Sequence, residues 1–336
     1  MKTLALDGSL PADIERAARI LDDGGLVAIP TETVYGLAAR ALDEGCVAPI
    51  FAAKGRPSDN PLILHVSSFD DARPLWSVDE TSRAFQHARA LADRFWPGPL
   101  TIVLPSSTIV PLSVRAGLPD VAVRAPRHDV ARALLQRLGE PLAAPSANAS
   151  GRVSPTTADD VRATLDGQID AILDGGPCAV GIESTVVSVD DDGVTILRPG
   201  VVDEHALSQV VPMVRARALG APAHAVPSPG VRHRHYAPAI ETVTLVDEAE
   251  LARASVDDDC AVIARASTWT RLSSSSSPRA RHEVLPDDPV AFARALYAAL
   301  YRVERAAPRA LVIERLPDDE RWRAVNDRLA RACARD

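Results

Sequence analysis

Apolar residues along the first two hundred positions alternate between a helical spacing and short continuous runs. In residues 11–23 they recur three and four positions apart, which predicts a helix, and Gly24-Gly25 ends it. The apolar run Leu26–Pro30 that follows is too short for a helix and predicts a buried strand.

The same alternation continues to about residue 200. Further helices are predicted at residues 43–53, 80–94, 128–138 and 157–166. Further strands are predicted at Leu62–Val66, Leu100–Leu104, Val121–Arg124, Leu142–Ala144, Ala171–Leu173 and a hairpin of Val186–Val189 with Val194–Leu197. This alternation predicts an α/β domain around one twisted, mixed, open sheet.

Prolines and glycines mark a change of character after residue 205. Residues 206–239 have linker composition after a short helix, and an α/β pattern resumes beyond them. Strands are predicted there at Thr242–Val246, Ala261–Ala264 and Ala310–Ile313, with helices near 289–305 and 319–333 and a mobile loop at the serine run Ser273–Ser277. The predicted domains are therefore 1–205, a linker 206–239 and a smaller Rossmann-like α/β domain 240–336.

Composition narrows the class of protein. Apolar residues make up 46% of the chain, yet no run approaches the roughly 20 residues of a membrane span. The four cysteines form no Cys-x-x-Cys pair, and no export leader is visible, so we expect a cytoplasmic protein with reduced thiols. The net charge of −8 argues against a broad nucleic-acid-binding face.

Lysine is almost absent. Of 37 Lys and Arg residues only Lys2 and Lys54 are lysine, so a compact ammonium is retained at Lys54 in a chain that otherwise uses guanidinium. Composition alone leaves open that Lys54 is a surface lysine retained by chance. The neighbouring residues are needed to distinguish this from a functional role.

Polar and cationic side chains cluster at the predicted strand ends. They lie in Pro30–Leu37, in the segment Lys54–Asn60, at Arg124, in Pro145–Gly151 and between Glu183 and Gly200. Lysine, arginine, hydroxyl and amide groups at converging loops suit an anionic, polyphosphate-bearing ligand. Neither Gly-x-x-x-x-Gly-Lys-[Ser/Thr] nor Gly-x-Gly-x-x-Gly occurs, so the residues alone predict a phosphate-ligand enzyme with a nonstandard site.

Six motifs occur in a fixed order that resembles the threonylcarbamoyl-AMP synthase family, in its long form with a YrdC-like domain. They are Pro30-Thr-Glu-Thr-Val-Tyr-Gly-Leu37, Lys54-Gly-Arg-Pro-Ser-Asp-Asn-Pro61, Phe95-Trp-Pro-Gly-Pro-Leu-Thr101, Ala144-Pro-Ser-Ala-Asn148, Gly181-Ile-Glu-Ser-Thr185 and Leu197-Arg-Pro-Gly200. The segment Pro229–Pro238 and the domain after it resemble the long form.

The resemblance implies a reaction of L-threonine, bicarbonate (or CO2) and ATP that gives threonylcarbamoyl-AMP and pyrophosphate. A partner transferase complex then modifies tRNA beside the anticodon, with weak or indirect tRNA contact by this chain and no membrane contact. Neither step requires a covalent enzyme intermediate, so positioning and cationic charge suffice.

The resemblance also implies which residues bind the substrates. Threonine would contact Thr33, His65, Arg124, Ala144 and Ser184. ATP would contact Lys54, Arg56, Asn60, Asp120, Ser146, Asn148, Ser154, Arg198, His233, His235 and Tyr236. Lys54 and Arg56 would be catalytic. Lys54 would contact phosphate oxygens as a compact point charge, and Arg56 would contact them through its planar, bidentate guanidinium. Mg2+ would be held mainly by the phosphates.

Simpler interpretations remain open at this stage. Thr31 and Thr33 fit strand residues, His65 a buried core histidine, Arg198 a turn residue and Ser154 a helix cap before Pro155. We expect the motif Phe95–Thr101 to be structural and the linker to fold over the site. Two residues depart from the family pattern, Asp120 in place of a hydroxyl residue and His233 in place of tyrosine.

Two other functions fit part of the pattern. One is O-carbamoyl transfer through a carbamoyl-adenylate, which the same core supports elsewhere with additional domains that this sequence lacks. The other is a noncatalytic RNA-binding module, which the net charge of −8 disfavours.

Overall fold

The computed structural model describes residues 2–216, 235–255, 257–275 and 280–334, and the chain divides into two compact units. Unit 1 consists of Met1–Ser150, Ser154–Ala179 and Glu183–Val231. Unit 2 consists of Gly151–Val153, Val180–Ile182 and Arg232–Asp336. Of the predicted linker 206–239, the described residues are 206–216 and 235–239.

A mixed sheet forms the centre of unit 1. Its strands are β1 Leu4–Asp7, β2 Val27–Ile29, β3 Gly36–Arg40, β4 Ile63–His65, β5 Leu100–Pro105, β6 Asp120–Arg124, β7 Leu142–Ala143, β8 Ala171–Asp174, β9 Thr185–Val189, β10 Val194–Arg198 and β11 Val214–Ala216. Over the described residues their order is β1-β8-β2-β3-β7-β4-β6-β5-β9-β10-β11. Strand β6 therefore lies between parallel β4 and antiparallel β5, near the middle of the sheet.

Helices join these strands. They are α1 Pro11–Asp22, α2 Glu44–Lys54, α3 Phe69–Ala72, a 3-10 turn Arg73–Leu75, α4 Arg83–Phe95, α5 Asp129–Leu138, α6 Ala158–Leu165 and α7 Glu204–Ser208. Local sequence fixes their ends. Thr157 and Asp160 form a reciprocal capping box at the start of α6, and Gly55 ends α2 in the left-handed conformation (φ 59°) that favours glycine.

The two faces of the central strands pack differently. Residues such as Leu62, Leu64 and Ile102 point into the main hydrophobic core of unit 1. The alternate residues of these strands, Ile63 and Val103 among them, form a small separate apolar cluster. Because successive strand residues face opposite sides, polar residues at the same alternate positions lie on this second face.

Unit 2 contains a parallel sheet of four strands in its described part, ordered β12-β15-β13-β14. The strands are β12 Thr242–Val246, β13 Cys260–Arg265, β14 Arg281–Leu285 and β15 Ala310–Glu314. Its helices are α8 Glu248–Ala254, α9 Ala266–Ser275, α10 Pro289–Arg305, a 3-10 turn Glu320–Trp322 and α11 Arg323–Ala332. A mixed α/β fold with a second, smaller parallel sheet confirms the predicted fold class.

The prediction of a loop at the serine run is wrong for its first part. Helix α9 continues through Ser275. Ser273 and Ser274 donate hydrogen bonds from their hydroxyls to the carbonyls of Thr270 (3.2 Å) and Arg271 (2.8 Å) one turn back, which accommodates serine in a helix. Ser276 and Ser277 lie outside the described residues.

No helix within the described ranges is both long and apolar enough to cross a bilayer.

Candidate active site

The turn between β2 and β3 is organised by two threonines. Thr31 donates from its hydroxyl to the carbonyl of Val34 (2.6 Å) and accepts from the backbone N–H of Thr33 (3.2 Å). The two hydroxyl oxygens lie 2.9 Å apart, and both side chains are buried. Thr31 and Thr33 therefore belong to a rigid turn rather than to a strand, and this turn carries Glu32 between them.

Arg124 is buried at the end of β6 and contacts three groups. Its Nη1 donates to the Thr33 hydroxyl (2.8 Å) and its Nε to the carbonyl of Gly98 (3.2 Å). Its Nη2 lies 2.6 Å from Oε2 of Glu32, and the two side chains are only 5% and 6% exposed. Gly98 belongs to the turn after Trp96, whose indole N–H donates to the Leu100 carbonyl (2.7 Å). The predicted structural role of this motif therefore includes holding Arg124.

His65 is opposite Arg124 in the register of β4 and β6. Burial, with the neighbouring Arg124 charge as a second cause, lowers the pKa of His65 to about 3. Its Nδ1 lies 3.3 Å from the carbonyl oxygen of Ile63. The imidazole is therefore neutral near pH 7 and offers a substrate a hydrogen bond without a charge.

Ser184 links two further strands. Its hydroxyl lies 2.8 Å from that of Thr101 on β5. Arg198, the last residue of β10, donates from Nη2 to the carbonyl (3.0 Å) and the hydroxyl (3.2 Å) of Ser184. Arg198 is buried, so it is part of this polar cluster and is more than a turn residue.

Lys54 is the last residue of α2, and its side-chain nitrogen donates hydrogen bonds to peptide carbonyls. Nζ donates to the carbonyl of Ser146 (2.5 Å) and, at short range, to that of Asn148. The Lys54 carbonyl in turn accepts from the backbone N–H of Ser150 (2.8 Å). Burial, and secondarily the charge of Arg56, lowers the pKa of Lys54 well below its ordinary value. Lys54 thus ties the end of α2 to the loop that follows β7.

Arg56 organises its own loop. Its Nε donates to the carbonyl of Asn60 (3.2 Å) and its Nη2 to that of Pro61 (2.8 Å). Asn60 thereby contributes its carbonyl to the loop, and its buried side chain lies beside the same turn. Lys54, Arg56 and Asn60 are thus brought together at the end of α2 and in the loop that follows it.

Ser154 caps no helix. Its hydroxyl donates to Oε1 of Glu183 (2.6 Å), and the N-cap of α6 is Thr157.

Asp120 begins β6, so Arg124 lies about 13 Å away along the strand. Burial raises the pKa of Asp120. Ala144 is buried and donates its backbone N–H to the Ile63 carbonyl (3.1 Å).

The predicted linker contacts are described only in part. His233 lies outside the described residues. His235 and Tyr236 belong to unit 2, where both are buried. Tyr236 stacks on Tyr297 at a ring separation of 5.9 Å, and the Arg328 guanidinium lies 5.4 Å from the Tyr236 ring centroid.

In the described part of unit 1, four Lys and Arg side chains are buried: Lys54, Arg56, Arg124 and Arg198. All four donate to backbone carbonyls. His65 and Arg124 are the last residues of β4 and β6 and project from the second face of the sheet, so this cluster lies on that face at the strand ends. A cluster of four buried cations suits an anionic ligand.

Sequence reasoning missed three buried polar residues of this cluster. Glu32, Thr101 and Glu183 stand inside the quoted motifs, but no role was assigned to them. Their signal was available, because a hydroxyl or carboxyl group within an otherwise apolar strand or turn needs a partner when it is buried.

Comparison with known proteins identifies the family. Residues 19–200 match the Sua5/YciO/YrdC family model, described as "Telomere recombination". Residues 202–334 match the model "Threonylcarbamoyl-AMP synthase, C-terminal domain". The chain belongs to the Sua5 family of threonylcarbamoyl-AMP synthases.

Two relatives of this family bear the name threonylcarbamoyl-AMP synthase. The protein of Pyrococcus abyssi is 38% identical over 322 residues, which cover 95% of this chain and 93% of the relative. That of Bacillus subtilis is 45% identical over 227 residues, 67% of this chain and 64% of the relative. Membership of this enzyme family confirms the resemblance drawn from the six motifs.

Solved structures agree with the fold. The crystal structure of Pyrococcus abyssi Sua5 complexed with L-threonine matches with a TM-score of 0.87 at 35% identity, covering 98% of each chain. Escherichia coli YciO, at 22% identity and a TM-score of 0.51, covers 61% of this chain and supports the fold alone.

Proposed function

We propose that the chain is an L-threonylcarbamoyladenylate synthase that joins L-threonine, bicarbonate (or CO2) and ATP into threonylcarbamoyl-AMP and pyrophosphate. The buried cluster of four cations in unit 1 is the observation that carries this proposal. Carbamate, carboxylate and triphosphate are all anions, and a buried cationic site stabilises their charge when they are brought together.

The two substrates would occupy different parts of the cluster. Arg124, with Thr33 and neutral His65 beside it, fits the threonine carboxylate and hydroxyl, and Ser184 and Ala144 complete that end. Arg198 donates a hydrogen bond to Ser184. Arg198 would therefore connect the threonine-binding end of the cluster to the end that binds ATP. Lys54, Arg56, Asn60, Ser146, Asn148 and Ser154 would bind ATP.

Lys54 has two functions in this proposal. It holds the loop of Ser146 and Asn148 in place, and its side chain would lie beside the phosphates of ATP. His233, His235, Tyr236 and Asp120 are kept as proposed nucleotide contacts.

Mg2+ would enter as part of the MgATP substrate. The described residues contain no group of three or more His, Cys, Asp or Glu side chains placed to hold a metal ion. The chain's own contribution is cationic, so the phosphates would supply the oxygen ligands.

The reaction proceeds by attack of a threonine N-carboxylate on the α-phosphate, with pyrophosphate as leaving group. Threonylcarbamoyl-AMP would then pass in the cytoplasm to a transferase complex that modifies the tRNA adenosine beside the anticodon. Direct tRNA binding by this chain would be weak, because its net charge is −8.

Pyrophosphate release from MgATP tests the proposal. We expect release only when L-threonine and bicarbonate are both present, with threonylcarbamoyl-AMP identified by mass spectrometry. Release that ignores threonine would overturn it. Release that requires carbamoyl phosphate instead would establish the O-carbamoyl-transfer alternative.

A further inference from the structure

Glu32 is the charged residue of the β2–β3 turn, and the proposed substrate contacts do not use its carboxylate. Its side chain is 6% exposed and lies between Thr31 and Thr33. Oε2 is 2.6 Å from Nη2 of Arg124. No described residue, however, donates a hydrogen bond with proper geometry to either carboxylate oxygen.

A buried carboxylate without a hydrogen-bond donor is costly unless it serves a ligand. Ionised groups removed from water need both a counter-charge and donors for their lone pairs. Arg124 supplies the charge, and its Nη1 and Nε are already used by Thr33 and Gly98. The acceptor capacity of Glu32 therefore remains available for a donor that binds there.

The pair also limits which ligand can bind. Arg124 alone would attract any anion, including free phosphate. Arg124 and Glu32 in contact form a neutral pair of opposite charges, and the complement of such a pair is a ligand that carries an anion and a cation on adjacent atoms. The carboxylate and ammonium of an α-amino acid are attached to one carbon atom.

We propose that Glu32 is a specificity-determining residue that accepts the α-ammonium group of L-threonine while Arg124 binds its carboxylate. This inference rests on the proposed function of the site. It explains why a glutamate lies beside an arginine expected to bind a carboxylate, an arrangement that would weaken the binding of a simple carboxylate ligand.

The test compares L-threonine with 3-hydroxybutyrate, which keeps the carboxylate and hydroxyl but lacks the amino group. Both are titrated into the full-length protein and into Glu32→Gln by calorimetry, without ATP. The wild type should bind L-threonine at least about 10-fold more tightly than 3-hydroxybutyrate. In Glu32→Gln, threonine affinity should fall about 10-fold or more, and 3-hydroxybutyrate affinity should hold or rise.

A purely structural role for Glu32 predicts another result. If Glu32 only orients Arg124, both ligands weaken by the same factor in Glu32→Gln, and the inference is overturned. Asp160→Asn is the matched control, since Asp160 is also a buried carboxylate of unit 1 but belongs to the capping box of helix α6; the ratio of the two affinities should stay at the wild-type value.

Two further results are informative. Glu32→Asp keeps the charge, so it should retain part of the discrimination even if Glu32→Gln fails to fold; equal binding of both ligands by Glu32→Asp would contradict the proposal. A wild type that binds no L-threonine would overturn the proposed function itself. Normal threonine binding with an equal loss of both ligands in Glu32→Gln would overturn the inference about Glu32 alone.

Discussion

Peptide carbonyls accept hydrogen bonds from all four buried cations of unit 1. Lys54 and Arg56 each donate to two carbonyls, and Arg198 donates to that of Ser184. The identity of these cations was predictable from motifs, but their carbonyl partners were not, because loops distant in sequence supply them.

Replacing Lys54 with arginine should abolish most activity although the charge is kept. A planar guanidinium cannot place one compact donor between the carbonyls of Ser146 and Asn148, so the loop that carries them shifts. Because a shift of about 1 Å at a reacting centre costs about 100-fold, turnover in the pyrophosphate assay should fall about 100-fold.

Lys2→Arg is the matched control, since it is the same exchange at an exposed position. Its turnover and melting temperature should equal those of the wild type. Near-normal turnover of Lys54→Arg would show that a lysine is not required there.

His65 should make stability depend on pH. Its folded-state pKa is about 3, below the ordinary 6.5, so between these values the unfolded chain binds a proton that the folded chain does not. Stability attributable to His65 is therefore intact above about pH 6.5 and declines as the pH falls towards 3.

The comparison of wild type with His65→Asn isolates this contribution. Urea unfolding at pH 7, 6, 5 and 4 should show a shallower fall in the free energy of unfolding for the variant. Parallel curves for the two proteins would mean that His65 is not held neutral by its surroundings.

Apolar spacing predicts the helices that have one buried face, and continuous apolar runs predict the buried strands. Helices α1, α2, α5 and α10 and strands β5 and β6 lie where these patterns place them, within a few residues. The patterns miss β3, because Gly36–Arg40 contains only one large apolar residue, and β14, because its residues are mostly exposed. In both, pairing with neighbouring strands overrides the local pattern.

The turn that follows β2 depends on a contact with the end of β8. Tyr35 donates from its hydroxyl to the Gly176 carbonyl (2.8 Å) and to Asp174 (3.1 Å), and accepts from the Gly175 N–H (3.2 Å). Tyr35→Phe should lower the free energy of unfolding by about 1–2 kcal/mol. It should also raise the KM for L-threonine, because Glu32 and Thr33 lie in this turn.

A control for Tyr35→Phe lies at the opposite end of β8, where Thr3 contacts the residues that precede this strand. Thr3 donates to the Ile169 carbonyl (3.0 Å) and accepts from the Gly167 N–H (2.8 Å). Thr3→Val should cost a similar free energy, measured by urea unfolding, and leave the KM for L-threonine unchanged. An unaltered KM for L-threonine in Tyr35→Phe would show that this turn does not contribute to substrate binding.

The whole chain combines a large mixed sheet with a separate small parallel one, and the sequence predicts this class but not the strand order. Strand β8 pairs with β1 and β2 across more than 140 residues. Pairings of that range depend on packing of the complete unit and leave no local signal. Motif order, in contrast, is a property of the sequence itself, and it correctly gave the family.

The burial of Lys54 also affects how the protein can be modified chemically. Lys2 is exposed and Lys54 is 4% exposed, with its ammonium enclosed by carbonyls. An amine-directed reagent would therefore acylate the side chain of Lys2 and leave that of Lys54 intact. A fluorophore or surface linkage could thus be attached through a lysine side chain at the beginning of the chain without altering the proposed site.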